Sequence, residues 1–79
     1  MELELKLIHK KHLNLYQKAA NLGVDFAQYK LALMYENGNG IEKDMNQAIY
    51  WYKKSAEQGD EDAQNKLKEL LTEEINYEL

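Results

Sequence analysis

The sequence predicts an all-α fold: a short solenoid of antiparallel helix pairs with about four helices. Two observations lead to this prediction. The chain matches itself at an offset of 36 residues, and its apolar residues recur at helical spacing between turns marked by glycine and asparagine. Proline is absent, so the four glycines are the main breaks in the pattern.

The internal repeat is the most specific feature of the sequence. Residues 16–31 align with residues 52–67, and eight of the sixteen aligned positions are identical. Chance would give about one identity, and periods of about 20–50 residues are typical of solenoids. The identical pairs are Tyr16/Tyr52, Lys18/Lys54, Ala20/Ala56, Gly23/Gly59, Ala27/Ala63, Gln28/Gln64, Lys30/Lys66 and Leu31/Leu67.

The amino-terminal segment, residues 1–23, is predicted to be the second helix of a preceding repeat, with Leu15 in the place of Trp51. Upstream, three leucines alternate with charged residues, which is a strand pattern, although Leu, Glu and Lys also favour helix. A lone strand would have no partner, so we expect the helix to extend back to about residue 3. Some of these leucines would then be exposed and able to mediate self-association: Leu3, Leu5 and Leu7.

Residues 24–59 are predicted to form one complete repeat. Its first helix should end at the run Asn37–Gly40, with Gly38 or Gly40 in a left-handed conformation. Asp44 is suited to cap the second helix, since Gln47 follows at the spacing of a capping box. Trp51 and Tyr52 should be buried between the helices as core residues rather than form a binding box.

The carboxyl-terminal segment, residues 60–79, is predicted to be the first helix of a following repeat. At the offset of 36, three positions of the first helix become polar or charged: Tyr29 becomes Asn65, Ala32 becomes Lys68 and Leu33 becomes Glu69. Terminal repeats of solenoids need such a polar outer face for solubility. We therefore expect this helix to cap the array, and the array to end here.

The motif within residues 25–59 resembles a Sel1-like repeat, a relative of the tetratricopeptide repeat. The matching positions are Ala27-Gln28, Leu31, Met34-Tyr35, Gly38-x-Gly40, Lys43-Asp44, Ala48, Trp51-Tyr52, Ala56 and Gly59. With the flanking helices, the resemblance covers about residues 12–71, and it departs at Ala32, where the family usually has glycine. The resemblance implies a right-handed superhelix that serves as an adaptor between proteins, and it implies no active site.

Charge and composition argue against several function classes. The net charge is −4 and all ten basic residues are lysine, which disfavours nucleic acid. No apolar run approaches the length of a membrane span, and the charged amino end lacks the apolar run of a signal peptide. We expect a soluble, cytoplasmic protein, with secretion by way of a removed leader left open.

Chemistry-bearing residues are sparse. Cysteine is absent, and His9 and His12, although three residues apart, stand beside Lys10 and Lys11, which repel cations. The carboxylate pairs have no nucleophile or base as a neighbour in the sequence. The sequence therefore predicts a protein that is not an enzyme and that binds neither a metal ion nor a cofactor.

The candidate partner-binding residues lie on the side of the first helix away from Leu31 and Tyr35, where the pairs Tyr29/Asn65 and Leu33/Glu69 differ in chemistry between the two repeats. This helix usually lines the concave, partner-binding surface of such solenoids. The candidates are Tyr29, Lys30, Leu33 and Glu36, followed by Asn65 and Glu69. For Leu33, packing within the domain is the slightly preferred alternative. The leading prediction is an interaction module for a protein partner; the alternative is a structural unit that self-associates through its amino-terminal leucines.

Overall fold

In a computed structural model of the protein, the backbone is described for residues 2–78 and the side chains for residues 10–72. The described backbone forms four helices: α1 Glu2–Asn21, α2 Asp25–Asn37, α3 Met45–Glu57 and α4 Glu61–Glu78. Packing is sequential, α1 against α2, α2 against α3 and α3 against α4. The predicted all-α solenoid is confirmed, and so is the extension of the first helix, because α1 begins at Glu2.

The turn between α2 and α3 follows the sequence prediction. Gly38 has φ +72° and Gly40 has φ +76°, so both adopt left-handed conformations. The N–H groups of Gly38 and Asn39 donate to the Met34 carbonyl at 2.8 and 3.0 Å, which satisfies the end of α2. Asp44 caps α3, since its Oδ1 accepts the N–H of Gln47 at 3.2 Å.

The two remaining turns are built alike. The Gly23 N–H donates to the Ala20 carbonyl at 3.0 Å, and the Gly59 N–H donates to the Ala56 carbonyl at 2.9 Å. In each turn the N–H of the residue after the glycine donates to the carbonyl one residue earlier in the helix. Val24 donates to the Ala19 carbonyl at 3.1 Å, and Asp60 donates to the Ser55 carbonyl at 3.3 Å. This is the Schellman arrangement, and it explains why glycine and alanine recur at these positions.

The core consists of two clusters that meet at α2. The first lies between α1 and α2 and contains Leu13, Ala20, Ala27, Leu31 and Met34. The second joins α2, α3 and α4 and contains Ala32, Ala48, Tyr52 and Ala63. Tyr35 and Trp51 pack against both clusters and are themselves partly buried. The alanines allow the helices to approach closely.

Trp51 is less deeply placed than its sequence position predicted. Tyr52 is fully buried, whereas Trp51 keeps one side open and packs edge-on against Tyr50, with ring centroids 5.1 Å apart. That open side borders a depression of about 270 Å³ whose far wall is formed by small residues, Ala20 and Gly23. The prediction of a buried Trp51 was therefore wrong in degree, because these small residues cannot cover an indole ring.

Candidate functional site

The predicted partner-binding residues do not all lie on one surface. Three α2 positions, Tyr29, Leu33 and Glu36, pack or bond toward α3 and α4. Asn65 and Glu69 are exposed on α4. Lys30 lies elsewhere: its Nζ is 5.5 Å from the centre of the Phe26 ring, which in turn contacts Tyr16 of α1.

Two tyrosines, Tyr29 of α2 and Tyr52 of α3, meet at the core cluster that joins α2, α3 and α4. The rings of Tyr29 and Tyr52 lie 5.8 Å apart at a tilt of 54°. Tyr52 is fully buried, whereas Tyr29 is partly buried and can be reached from solvent. Burial raises the pKa of Tyr29, and the negative charge of Asp62 raises that pKa further. The Tyr29 phenol is therefore protonated at neutral pH and available as a hydrogen-bond donor.

Glu36 holds this surface together. Its Oε1 accepts the Tyr52 hydroxyl at 2.6 Å, and its Oε2 accepts Lys66 Nζ at 3.3 Å. The Lys66 contact joins α2 to α4 as a salt bridge. Replacing Glu36 should therefore lower stability, because its carboxylate is the partner of a buried hydroxyl.

Leu33 adopts the alternative that the sequence slightly preferred. It is partly buried and packs against the cluster formed by Ala32, Ala48, Tyr52 and Ala63. A leucine in that position contributes mainly to the contact between helices. Any part that Leu33 has in partner binding stays a prediction, as it does for the other candidate residues.

Acidic side chains lie around the tyrosine pair; Glu36 and Glu69 were predicted from the sequence as site residues, whereas Asp60 and Asp62 were not. Asp60 and Asp62 act on Tyr29, and Glu69 acts on Tyr52, each raising the pKa of the phenol after the larger effect of burial. Lys66 is the opposing positive charge. The acidic run at residues 60–62 was visible in the sequence, but its position beside Tyr29 depends on how α4 packs.

We call this surface the α2/α4 face and define it by the tyrosine pair and the charged groups around it: Tyr29, Tyr52, Glu36, Asp60, Asp62, Asn65, Lys66 and Glu69. It carries four carboxylates against one ammonium group. An exposed aromatic ring within an acidic surface is suited to recognise a positively charged segment.

Metal ligation and membrane insertion find no support in the described part of the chain. Across the described residues, no three His, Cys, Asp or Glu side chains converge on a point that could hold a metal ion. None of the helices, as far as it is described, is long and apolar enough to cross a bilayer. The side chains of His9, Leu3, Leu5 and Leu7 lie outside the described residues.

The helix order, the matched turns and the sequential packing define an α/α helical-repeat protein. The family description "Sel1 repeat" matches residues 13–24 and 25–60, so the chain belongs to the Sel1 repeat family, as the sequence resemblance indicated. A solved Sel1 repeat protein from Oxalobacter formigenes superposes with a TM-score of 0.76 at 44% identity, over 77% of this chain and 25% of that one.

Two relatives from eukaryotes are also similar. The chitin synthase regulator SKT5 of Saccharomyces cerevisiae is 43% identical over 51 residues, which is 65% of this chain and 7% of that protein. The DAP3-binding cell death enhancer 1 of Rattus norvegicus is 32% identical over 71 residues, 90% of this chain and 14% of that protein. The chain thus spans a small fraction of the length of the relatives that it matches.

Proposed function

We propose that the chain is a non-catalytic interaction module whose α2/α4 face binds a basic segment of a protein partner. The observation that carries this proposal is the position of Tyr29, partly buried against Tyr52 and close enough to the carboxylates of Glu36, Asp60 and Asp62 for their charges to act on its phenol. The names of the relatives support it in a general way, since one is a regulator and the other a DAP3-binding protein.

Different residues of the face would have different roles. Glu36 accepts from both Tyr52 and Lys66, so the Glu36–Lys66 pair holds α2 and α4 together. Tyr29 would supply the apolar contact, because a rigid aromatic side chain loses little conformational entropy on binding. Asp62 and Glu69 are exposed and would pair with lysine or arginine of the partner.

A site-specific cross-linking experiment tests the proposal before the partner has been identified. A photoreactive benzoylphenylalanine at Asn65, which is exposed within the face, should capture a protein from extract of the native host. The same group at Lys53, exposed on α3, is the matched position outside the face. Capture from Asn65 that is absent from Lys53 supports the proposal, and equal capture from both positions contradicts it.

Charge reversal then tests the electrostatic part of the proposal. The double variant Asp62→Lys/Glu69→Lys should weaken binding of the captured partner by at least about tenfold. Its control, Glu42→Lys/Glu57→Lys, makes the same change in net charge at exposed positions outside the face. Equal weakening by both pairs would mean that net charge alone attracts the partner, and the assignment to the α2/α4 face would be wrong.

A further inference from the structure

The depression on the open side of Trp51 has one aromatic wall and one wall of small residues. The rings of Tyr50 and Trp51 stand nearly at right angles, at 84°, with their centroids 5.1 Å apart. Ala20 of α1 and Gly23 of the turn after it form the other wall, which leaves about 270 Å³ of space. An apolar side chain that enters this space would cover an indole ring that is otherwise in contact with water, which is favourable.

The walls of the depression are held in place by a buried amide. Gln28 lines the depression, and its Nε2 donates to the Ala20 carbonyl of α1 at 3.1 Å. Its Oε1 accepts from Gln58, at the end of α3, at 2.9 Å. The two bonds tie α1 and α3 to the same side chain of α2. The depression is therefore formed before a ligand arrives, and a preformed site loses little free energy to ordering when it binds.

The charge on the depression is positive. Lys54 lines it, with its Nζ 5.6 Å from the centre of the Tyr50 ring, and none of the described lining residues is acidic. Among the described side chains, no carboxylate lies within salt-bridge distance of Lys54. At the offset of 36 the lining residue Asn21 corresponds to Glu57, so this repeat lacks the acid that the next one has. An unopposed ammonium group beside an apolar site favours a ligand with an acidic group.

The size of the depression limits what can occupy it. Pockets for small-molecule ligands measure about 300–1,000 Å³, whereas this depression measures about 270 Å³ and is open to solvent. A single bulky side chain is the better fit. Trp51 and Lys54 are three residues apart on α3 and so lie on the same side of the helix. The apolar and the acidic group of the ligand must therefore be close neighbours, as in adjacent residues of a peptide.

We propose that this depression binds an acidic segment of a protein partner, with a bulky apolar side chain against Trp51 and a neighbouring carboxylate paired with Lys54. None of the residues that line the depression belongs to the α2/α4 face. The depression is thus a second binding surface with the opposite charge preference, and it does not depend on whether the α2/α4 face binds a basic segment.

The fluorescence of Trp51, the single tryptophan, reports directly on a ligand in the depression. The peptide acetyl-Phe-Glu-amide, titrated into the millimolar range at low ionic strength, should change this fluorescence saturably. Acetyl-Phe-Gln-amide should bind about two- to fivefold more weakly, which is the range expected for the loss of one exposed ion pair. Acetyl-Ala-Glu-amide should give no saturable change at the same concentrations, because it has no bulky side chain to place against the indole ring.

A matched pair of variants assigns the charge preference to one lysine. Lys54→Gln should remove the preference for the glutamate peptide over the glutamine peptide. Lys53→Gln, at an exposed lysine of α3 that does not line the depression, should keep the preference. Circular dichroism checks that both variants retain the helical content of the unmodified protein.

Equal binding of the glutamate and glutamine peptides by the unmodified protein overturns the proposal, and so does the absence of any saturable change with acetyl-Phe-Glu-amide. A preference that survives Lys54→Gln, or that Lys53→Gln removes to the same extent, also overturns it. Fluorescence that depends on the concentration of the protein alone would show that a second copy fills the depression, which contradicts the assignment to a partner.

Discussion

Gln28 shows at the scale of one residue why particular positions recur in both repeats. Its Nε2 donates to the Ala20 carbonyl at 3.1 Å and so ties α2 to the end of the preceding helix. Gln64 makes the same bond to the Ala56 carbonyl at 3.2 Å. The donors Gln28 and Gln64 are identical at the offset of 36, and so are the acceptors Ala20 and Ala56. The bond needs a side-chain amide on one helix and a carbonyl that approaches it closely on the other.

The two glutamines differ in burial, and this difference leads to a prediction. Gln28 is 4% exposed and also accepts from Gln58, whereas Gln64 is exposed. Gln28→Ala should lower the free energy of unfolding by about 1–2 kcal/mol, since two hydrogen bonds are lost at a buried site. Gln64→Ala should change it by no more than about 0.5 kcal/mol. Urea unfolding of both variants measures the difference, and equal losses would contradict it.

Tyr52 makes stability depend on pH in the alkaline range. Burial and the hydrogen bond to Glu36 raise the pKa of its phenol, so the folded state favours the neutral form. The stabilisation that comes from the neutral Tyr52 phenol is complete below a pH of about 10, the pKa of tyrosine in the unfolded chain. It is lost as the pH rises from there toward the higher pKa of Tyr52 in the folded protein. Tyr52→Phe should cost about 1–2 kcal/mol at neutral pH through the lost hydrogen bond.

Urea unfolding between about pH 8 and pH 11 measures this dependence. The unmodified protein should lose more stability over that interval than Tyr52→Phe, which has no ionising group at the position. Tyr50→Phe, at a half-exposed tyrosine without the Glu36 contact, is the control and should follow the unmodified protein. Parallel pH profiles for the unmodified protein and Tyr52→Phe would show that the phenol contributes nothing to the pH dependence.

At the scale of the element, the turn after α2 is set by the left-handed glycine at position 38. A Cβ there would make an ordinary contact with Lys43 Cβ at 3.4 Å, so it is the φ of +72° that makes a side chain unfavourable. Gly38→Ala should lower the free energy of unfolding by about 1 kcal/mol or more. Gly38→Asn should cost less, because asparagine adopts this conformation more readily. Thermal unfolding ranks the variants, and equal stability of Gly38→Ala and the unmodified protein would contradict the prediction.

Helix bounds and turns could be predicted because they depend on local residue types. Glycine and asparagine end α2 and Asp44 starts α3 whatever else packs nearby. Burial was harder to predict, since it depends on which helix covers a position. Tyr52 and Trp51 share the same stripe in the sequence, yet only Tyr52 is enclosed by α2 and α4.

The site was predictable only in part for the same reason. The sequence placed Tyr29 and Glu36 on one side of a helix but could not show that Glu36 is bonded to Tyr52 and Lys66. Nor could it show that Asp62 lies near Tyr29, since the two residues are brought together by the packing of α4. Contacts between residues about 30 positions apart follow from the fold and not from a local pattern.

At the scale of the whole molecule, the two core clusters are joined through Tyr35 and Trp51. A domain of this size has a total stability of only about 4–12 kcal/mol, so neither cluster is expected to persist without the other. Unfolding followed by the fluorescence of Trp51, the single tryptophan, should therefore coincide with unfolding followed by helical circular dichroism. Separate midpoints would show that the repeats unfold independently.

The central claim is that the α2/α4 face binds a basic protein segment, and amide NMR spectra recorded during a titration test it most directly. The titrant is a lysine- and arginine-rich peptide from the partner captured at Asn65. The account predicts that shifted resonances cluster in residues 29–36 and 60–69, and that Asp62→Lys/Glu69→Lys removes the shifts. Shifts confined to α1 or to the depression beside Trp51 would contradict it.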